Sequence, residues 1–368
     1  MFVLDSIVTV ALMLAILVVL VVVHEVGHFI AARRAGVLVH EFGIGFPPRA
    51  RVLGRDRETL YTLNWLPIGG FVRLEGEDGD SDDPRSFVRQ SLRVRIVILL
   101  AGVVMNFALA WLIFGGIAGV ADPSVTVPIH YVQPGSPAAA AGLVGAADAS
   151  DGTPVRTGDT ILAIDGRRFA YFDLLREDPL AWFRQHPGQS VTISVARGSG
   201  GVDEVTVTLR PANEISTERG ALGIVAAGRG LGEDIERSPL EAVGVGWQRT
   251  VDASLLVLNA LRDLFGQLDD PQVSGPIGIA NAVGTIRSQL PPVFLLYLVG
   301  LLSANLAVIN VLPLPPMDGG RIAVSLIKAV AGGRISLAAE RATYLVGFVL
   351  LFALLIWISL FDIQRLGT

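Results

Sequence analysis

Cysteine is absent from these 368 residues, which excludes disulfides and thiolate metal sites and leaves His, Asp and Glu to hold any metal. Lysine is nearly absent, since Lys328 stands alone and every other basic residue is arginine. Charge of either sign is scarce, at 17% of residues where about a quarter is usual in a soluble chain. The net charge of -5 argues against general nucleic-acid binding, which needs a basic face. What is abundant is apolar: 51% of residues are hydrophobic and the mean hydropathy is +0.56. These values describe a membrane protein with a soluble portion.

Four stretches are long enough to cross a bilayer core of about 20 residues: roughly 7–32, Ile96 to Val120, Val293 to Leu312, and roughly Ala342 to Phe361. The first lacks a basic leader, carries Asp5 and runs on without a small-residue cleavage site, so it is expected to be retained as a transmembrane helix. Arg33, Arg34, Arg89, Arg93 and Arg95 flank one loop, and Arg321, Lys328, Arg334 and Arg341 occupy another. The positive-inside rule then puts loops 33–95 and 313–341 in the cytoplasm, with both termini and the central region outside.

In the first loop, Gly43 to Pro48 and Pro67 to Gly70 read as turns, with short strands at Thr59 to Leu66 and Phe71 to Leu74. Two readings of this apolar hairpin stay open. It is an ordinary surface hairpin, or it dips into the membrane and pairs with an extended peptide. Glu75 to Asp83 reads as a solvated acidic stretch. Residues 122–213 read as a small β-rich domain, with strands at Ile129 to Val132, Ile161 to Ile164, Val191 to Val195 and Val205 to Leu209. A helix is expected over Ala138 to Leu143 and a loop insertion over Ala146 to Pro154. Residues 239–268 alternate as an amphipathic helix, suited to the membrane surface or to packing against the spans.

The chemistry concentrates in His24-Glu25-Val26-Gly27-His28, which continues the first apolar run without a break. Histidines at i and i+4 share a helix face and can meet one metal ion, with Glu25 beside them to take a proton from a metal-bound water. A catalytic zinc site needs a third protein ligand. His130 and His186 fall in the outer region, and His40 lies outside the helix. Asp318 is the better candidate, in Asn310-Val311-Leu312-Pro313-Leu314-Pro315-Pro316-Met317-Asp318-Gly319-Gly320. There the prolines end the third span, and a carboxylate at that depth needs a partner. Its plain alternative is a turn residue, because Asp-Gly is a common turn pair. Asn310 has the plain alternative of bonding between spans.

HEVGH in the first span, together with Asn310 and Pro-Leu-Pro-Pro-Met-Asp-Gly in the third, resembles the site-2 protease family of intramembrane zinc metalloproteases. More narrowly, the chain is similar to the bacterial regulators of sigma-E proteases. Gly102 to Asn106 in the second span matches that family's Gly-x-x-x-Asn. Pro67 to Leu74 resembles its membrane-reentrant β-loop, and Val132 to Leu143 resembles its PDZ domains. One PDZ domain fits here where the best-known relatives carry two, and Met-Asp-Gly replaces the commoner Leu-Asp-Gly.

The resemblance implies a polytopic α-helical membrane protein with four transmembrane helices, a membrane-reentrant β-hairpin and an inserted extracytoplasmic PDZ-like α+β domain. The expected divisions are 1–121 (the first two spans with the hairpin), 122–213 (the PDZ-like domain), 214–290 (a linker and the amphipathic helix) and 291–368 (the third and fourth spans). It implies Zn2+ on His24, His28 and Asp318, Glu25 as general base, and substrate contacts from Asn310, Gly69, Gly70 and Phe71. The implied partners are single-span membrane proteins (anti-sigma factors or remnant signal peptides), the lipid bilayer, and a C-terminal peptide in the PDZ groove. The implied place is the bacterial inner membrane, with the site near the cytoplasmic side. Two rivals from other classes are a membrane-anchored PDZ scaffold or chaperone without proteolytic activity and a metal-dependent transporter. Glu25 speaks against the first, and the lack of inverted repeats against the second.

Overall fold

The computed structural model describes residues 2–77, 81–147, 157–216, 218–264, 266, 273–331 and 336–366. Nearly all of the insertion read at Ala146 to Pro154, together with Arg156, Phe265 and Arg334, lies outside the described residues. The chain divides into two compact units, Met1–Gly115 with Val243–Thr368, and Gly116–Ala242.

Helix α1 (Phe2–Arg34) is apolar around nearly its whole circumference, as a helix facing lipid must be. It stops where Gly36 turns to φ +75°. There the Val37 N–H reaches back to the Ala32 carbonyl at 2.9 Å, a glycine-type C-cap with Arg33 and Arg34 at the negative end of the helix dipole.

Strands β1 (Val39–Asp56) and β2 (Thr59–Leu74) follow. The turns expected at Gly43 to Pro48 and Pro67 to Gly70 are instead bends within these longer strands. Gly45 and Gly69, at φ +77° and +81°, absorb the kinks so that pairing resumes beyond them. Residues 41–44 consequently pair on both sides, Phe42 opposite Val72 and Tyr61, and Ile44 opposite Gly70 and Leu63. Phe42, Val72 and Leu74 pack with Ala32 of α1 and with Ile98 and Leu99 of the next helix.

Helix α2 (Leu92–Val120) begins at Ser91, whose Oγ accepts the Val94 N–H at 3.4 Å. It crosses α1 backbone to backbone: a Cβ on Gly27 would stand 2.3 Å from the Ala101 carbonyl oxygen.

The second unit is built on one antiparallel sheet. Its elements are β3 (Pro123–Val132), α3 (Pro137–Ala140), β4 (Thr160–Ile164), α4 (Pro179–Gln185), β5 (Ser190–Ala196), β6 (Val202–Thr208), β7 (Ile224–Ala226) and β8 (Gly230–Asp234). The strand order is β6-β5-β4-β3-β7, with β8 also on β3, so two strands beyond residue 213 extend the sheet. Alternate residues Val125, Val127 and Ile129, with Ile161, Ile193 and Phe183, form its core. Ser136 caps α3, its Oγ accepting the Ala139 N–H at 3.2 Å. The helix expected to reach Leu143 stops at Ala140, because Gly142 turns to φ +72°.

The chain then returns to the first unit. Helix α5 (Pro239–Leu264) is the expected amphipathic helix and packs against α2. Trp111 Nε1 donates to the Val243 carbonyl at 3.0 Å, and a Cβ on Gly246 would lie 2.5 Å from Gly115 N. Helix α6 (Pro276–Gln289) was read from the sequence only as linker. Its N-terminal amides are capped from far away, Gly275 and Gly278 N–H donating to Asp362 Oδ2 at 3.0 and 2.9 Å. Helices α7 (Pro292–Val311), α8 (Asp318–Val330) and α9 (Leu337–Leu366) complete the chain. Among the described residues, four helices, α1, α2, α7 and α9, are long and apolar enough to cross a membrane, as their sequences predict.

Candidate metal centre

One turn of α1 separates His24 and His28, and their Nε2 atoms lie 3.0 Å apart. Asp318 comes to the same point: its Oδ2 is 2.9 Å from His24 Nε2 and 3.2 Å from His28 Nε2. The approach depends on glycine. A Cβ on Gly319 would stand 2.2 Å from the Val311 carbonyl oxygen, and one on Gly320 2.6 Å from the Leu314 carbonyl carbon. The glycine pair after Asp318 thus lets α8 start in contact with the end of α7. From the other side, a Cβ on Gly347 of α9 would lie 2.1 Å from the Pro315 carbonyl oxygen. The aspartate read as a metal ligand or a turn residue opens a helix, and its carboxylate faces the two imidazoles.

Helix α2 holds the histidines from behind. His28 Nδ1 lies 2.8 Å from the Ile98 carbonyl, which fixes Nδ1–H as donor and leaves Nε2 free to ligate. His24 Nδ1 lies 3.3 Å from the Asn106 carboxamide. Between them, a Cβ on Gly102 would be 2.5 Å from His28 Nε2 and 2.8 Å from His24 Nε2. Only glycine leaves the two rings their space.

The residues present fit a zinc ion. Two imidazole nitrogens and one carboxylate oxygen are a catalytic zinc donor set with one position open. Ligand atoms about 2.1 Å from a shared tetrahedral ion stand roughly 3.4 Å apart, so the observed 2.9–3.2 Å needs an opening of a few tenths of an ångström. Among the described residues, this is the one group of three such side chains with donor atoms all within 4.8 Å of one another.

Glu25 lines the same cavity, of about 790 Å³, with His24, His28, Gly69, Gly70, Phe71, Asn310 and Asp318. A Cβ on Gly70 would lie 3.8 Å from Glu25 Cγ, so β2 passes directly beside the carboxylate. Phe71 stacks on Phe46. Asn310 faces the cavity with its Nδ2 donating to the Leu306 carbonyl of its own helix at 2.9 Å. His40, set aside as a ligand, pairs with Glu75 on the hairpin.

The acidic stretch read as solvated is partly engaged. Glu77 forms an ion pair with Arg321 at the cavity, one turn beyond Asp318, and Glu75 holds Ser81 as well as His40. The Glu77–Arg321 pairing has no local signal, because 244 residues separate the partners. The supporting roles of Gly102 and of the Ile98 carbonyl were equally unread. For Gly102 the available clue was small size at helical spacing from Asn106.

Comparison with known proteins gives the chain a family and relatives. The profile described as Peptidase family M50 matches residues 12–354. A protein of Nostoc sp., provisionally named a zinc metalloprotease, is 32% identical over 96% of each chain. A similarly named protein of Clostridium perfringens is 33% identical over 94% of this chain and 95% of its own. The zinc metalloprotease RasP of Geobacillus kaustophilus is 27% identical over 94% of this chain and 95% of its own.

Proposed function

The chain belongs to peptidase family M50, and from that premise we propose that this zinc metalloprotease cuts single-span membrane proteins inside the bilayer. The observation that carries the reading is the meeting of His24, His28 and Asp318 within 3.2 Å beside Glu25, in a cavity lined by membrane helices. His24, His28 and Asp318 hold the metal in this reading. Zinc, when bound, supplies Lewis acidity that polarises a peptide carbonyl and lowers the pKa of its water towards 7. Glu25 accepts a proton from the attacking water and passes it to the departing nitrogen.

A helical amide is masked by its own hydrogen bonds, so the substrate must be held extended. The cavity wall at Gly69, Gly70 and Phe71 lies on a strand that reaches Glu25, which suits backbone pairing with such a segment. In this reading Asn310, which lines the cavity, holds the same segment by a backbone amide. The antiparallel sheet unit would act as a PDZ-like receiver for a newly exposed C-terminus, screening what arrives. On the arginine distribution, the site lies towards the cytoplasm and both termini outside. Trimmed anti-sigma factors and remnant signal peptides are the substrate classes this arrangement serves.

The test is cleavage of a single-span reporter by the purified chain in lipid vesicles. Glu25→Gln is expected to lower the rate by about 10²-fold or more while zinc content stays at the wild-type level. Unchanged cleavage in that variant removes Glu25 from the mechanism, and undiminished zinc in His24→Ala removes the ligand assignment.

A further inference from the structure

The His24 ring has two nitrogens with different neighbours. Nε2 faces His28 and Asp318 at 3.0 and 2.9 Å. Nδ1 faces the Asn106 side chain at 3.3 Å. Asn106 is fully buried, and its main-chain carbonyl accepts a hydrogen bond from Ser303 Oγ of α7 at 2.8 Å. In its carboxamide, Nδ2 points to His24, while Oδ1 is buried without a partner. A buried acceptor with no donor is unusual and asks for an explanation.

The chemistry of the ring supplies one. An imidazole that gives Nε2 to a metal keeps its proton on Nδ1, which is then a donor. A half-turn of the carboxamide exchanges its ends. The oxygen then meets Nδ1–H, and the lone buried acceptor is satisfied in the same movement. His28 has the matching arrangement, its Nδ1 against the Ile98 carbonyl. Ile98, Gly102 and Asn106 recur every four residues, so one face of α2 carries a carbonyl, a gap and a carboxamide against the two rings.

We propose that Asn106 is a positioning residue whose side-chain oxygen accepts the Nδ1 proton of His24, fixing the tautomer and ring plane in which Nε2 meets a metal ion. The proposal rests on the reading that His24 is a ligand. The carboxamide serves both states, donating to Nδ1 in the metal-free ring and accepting from it in the loaded one.

The experiment is zinc affinity of the full chain in detergent, measured by competition with a chelating dye, for wild type, Asn106→Leu, Asn106→Asp and His24→Ala. Losing a support of this kind weakens metal binding by about 10–100-fold, and that loss is expected for Asn106→Leu. Asn106→Asp, an acceptor only, is expected to bind zinc as tightly as wild type or more so. A space-filling role predicts the reverse order, since leucine suits an apolar site and a buried carboxylate does not. Wild-type affinity in Asn106→Leu, or equal weakness in Asn106→Asp, overturns the proposal. If melting of the metal-free protein shows Asn106→Leu to be unfolded, Asn106→Ala takes its place, with a tenfold loss supporting and an unchanged affinity overturning. Undiminished zinc in His24→Ala sinks the ligand assignment itself. Zinc lost there but kept in Asn106→Leu sinks only the positioning role.

Discussion

Asp159 in the sheet unit and Asp318 in the helical unit are both largely withdrawn from solvent, but their partners differ in kind. Asp159 accepts the Val144 and Gly198 N–H groups at 3.1 Å each and the Arg197 guanidinium at 2.7 Å, and Arg197 also holds Asp203 at 2.8 Å. Every lone pair in use meets a donor that the fold supplies. Asp318 meets two imidazole nitrogens that also face one another at 3.0 Å, so three donor atoms converge on one point. Other buried carboxylates follow Asp159: Asp122 pairs with Arg237, and Asp362 caps α6 through two amides. A carboxylate satisfied by fixed donors is part of the architecture. One aimed at convergent imidazoles has the donor arrangement that a metal site needs.

The contrast breaks most sharply at Asp318. Asp318→Ala is expected to abolish reporter cleavage and to weaken zinc by more than about 100-fold, beyond the loss of a supporting contact. Its metal-free melting temperature should stay near the wild-type value. A metal-free protein that unfolds instead would make Asp318 structural and erase the difference. Asp159→Ala should do the opposite. Removing one partner of a buried pair costs roughly 3 kcal/mol, here at the low end because Arg197 keeps some solvent contact. Zinc affinity should not move, and calorimetry with dye competition on one sample reads both.

Glu75 gives a third, weaker setting at a half-buried site. Its hydrogen bonds from Ser81 and then His40 hold its carboxyl below the usual carboxylate range. With the folded value depressed, its stabilisation is present above the unfolded value of about 4.3 and is lost as pH falls through the folded one. Glu75→Gln should therefore lower the melting temperature slightly at neutral pH, with the two proteins converging as pH falls below about 4.3, so that the variant's acid limb is flatter. An identical acid limb would remove the contact from the account.

Elements whose evidence is local were legible. The spans announce themselves by length and apolarity, and HEVGH by the 3.6-residue period that puts His24 and His28 on one face. Elements whose evidence is distant were misread. Glycine bends at Gly45 and Gly69 looked like strand ends because a kink and a turn share the same residue type. Helix α6 looked like linker because its cap, Asp362, is 84 to 87 residues away. The Glu77–Arg321 pair looked like solvated charge for the same reason.

By itself the amino-acid order determined which segments are long and apolar enough to cross a membrane, which residue types are available to bind metal, and the spacing that pairs two of them on one helix. All of these depend on neighbours within a few turns. Tertiary structure alone decided that Asp318, a candidate from the sequence, meets both histidines, that Gly102 leaves room for the rings, and that Asn106 stands behind one of them. Those contacts join α1, α2 and α8 at van der Waals distance, and close approach between helices far apart in the chain leaves no periodicity in any one of them.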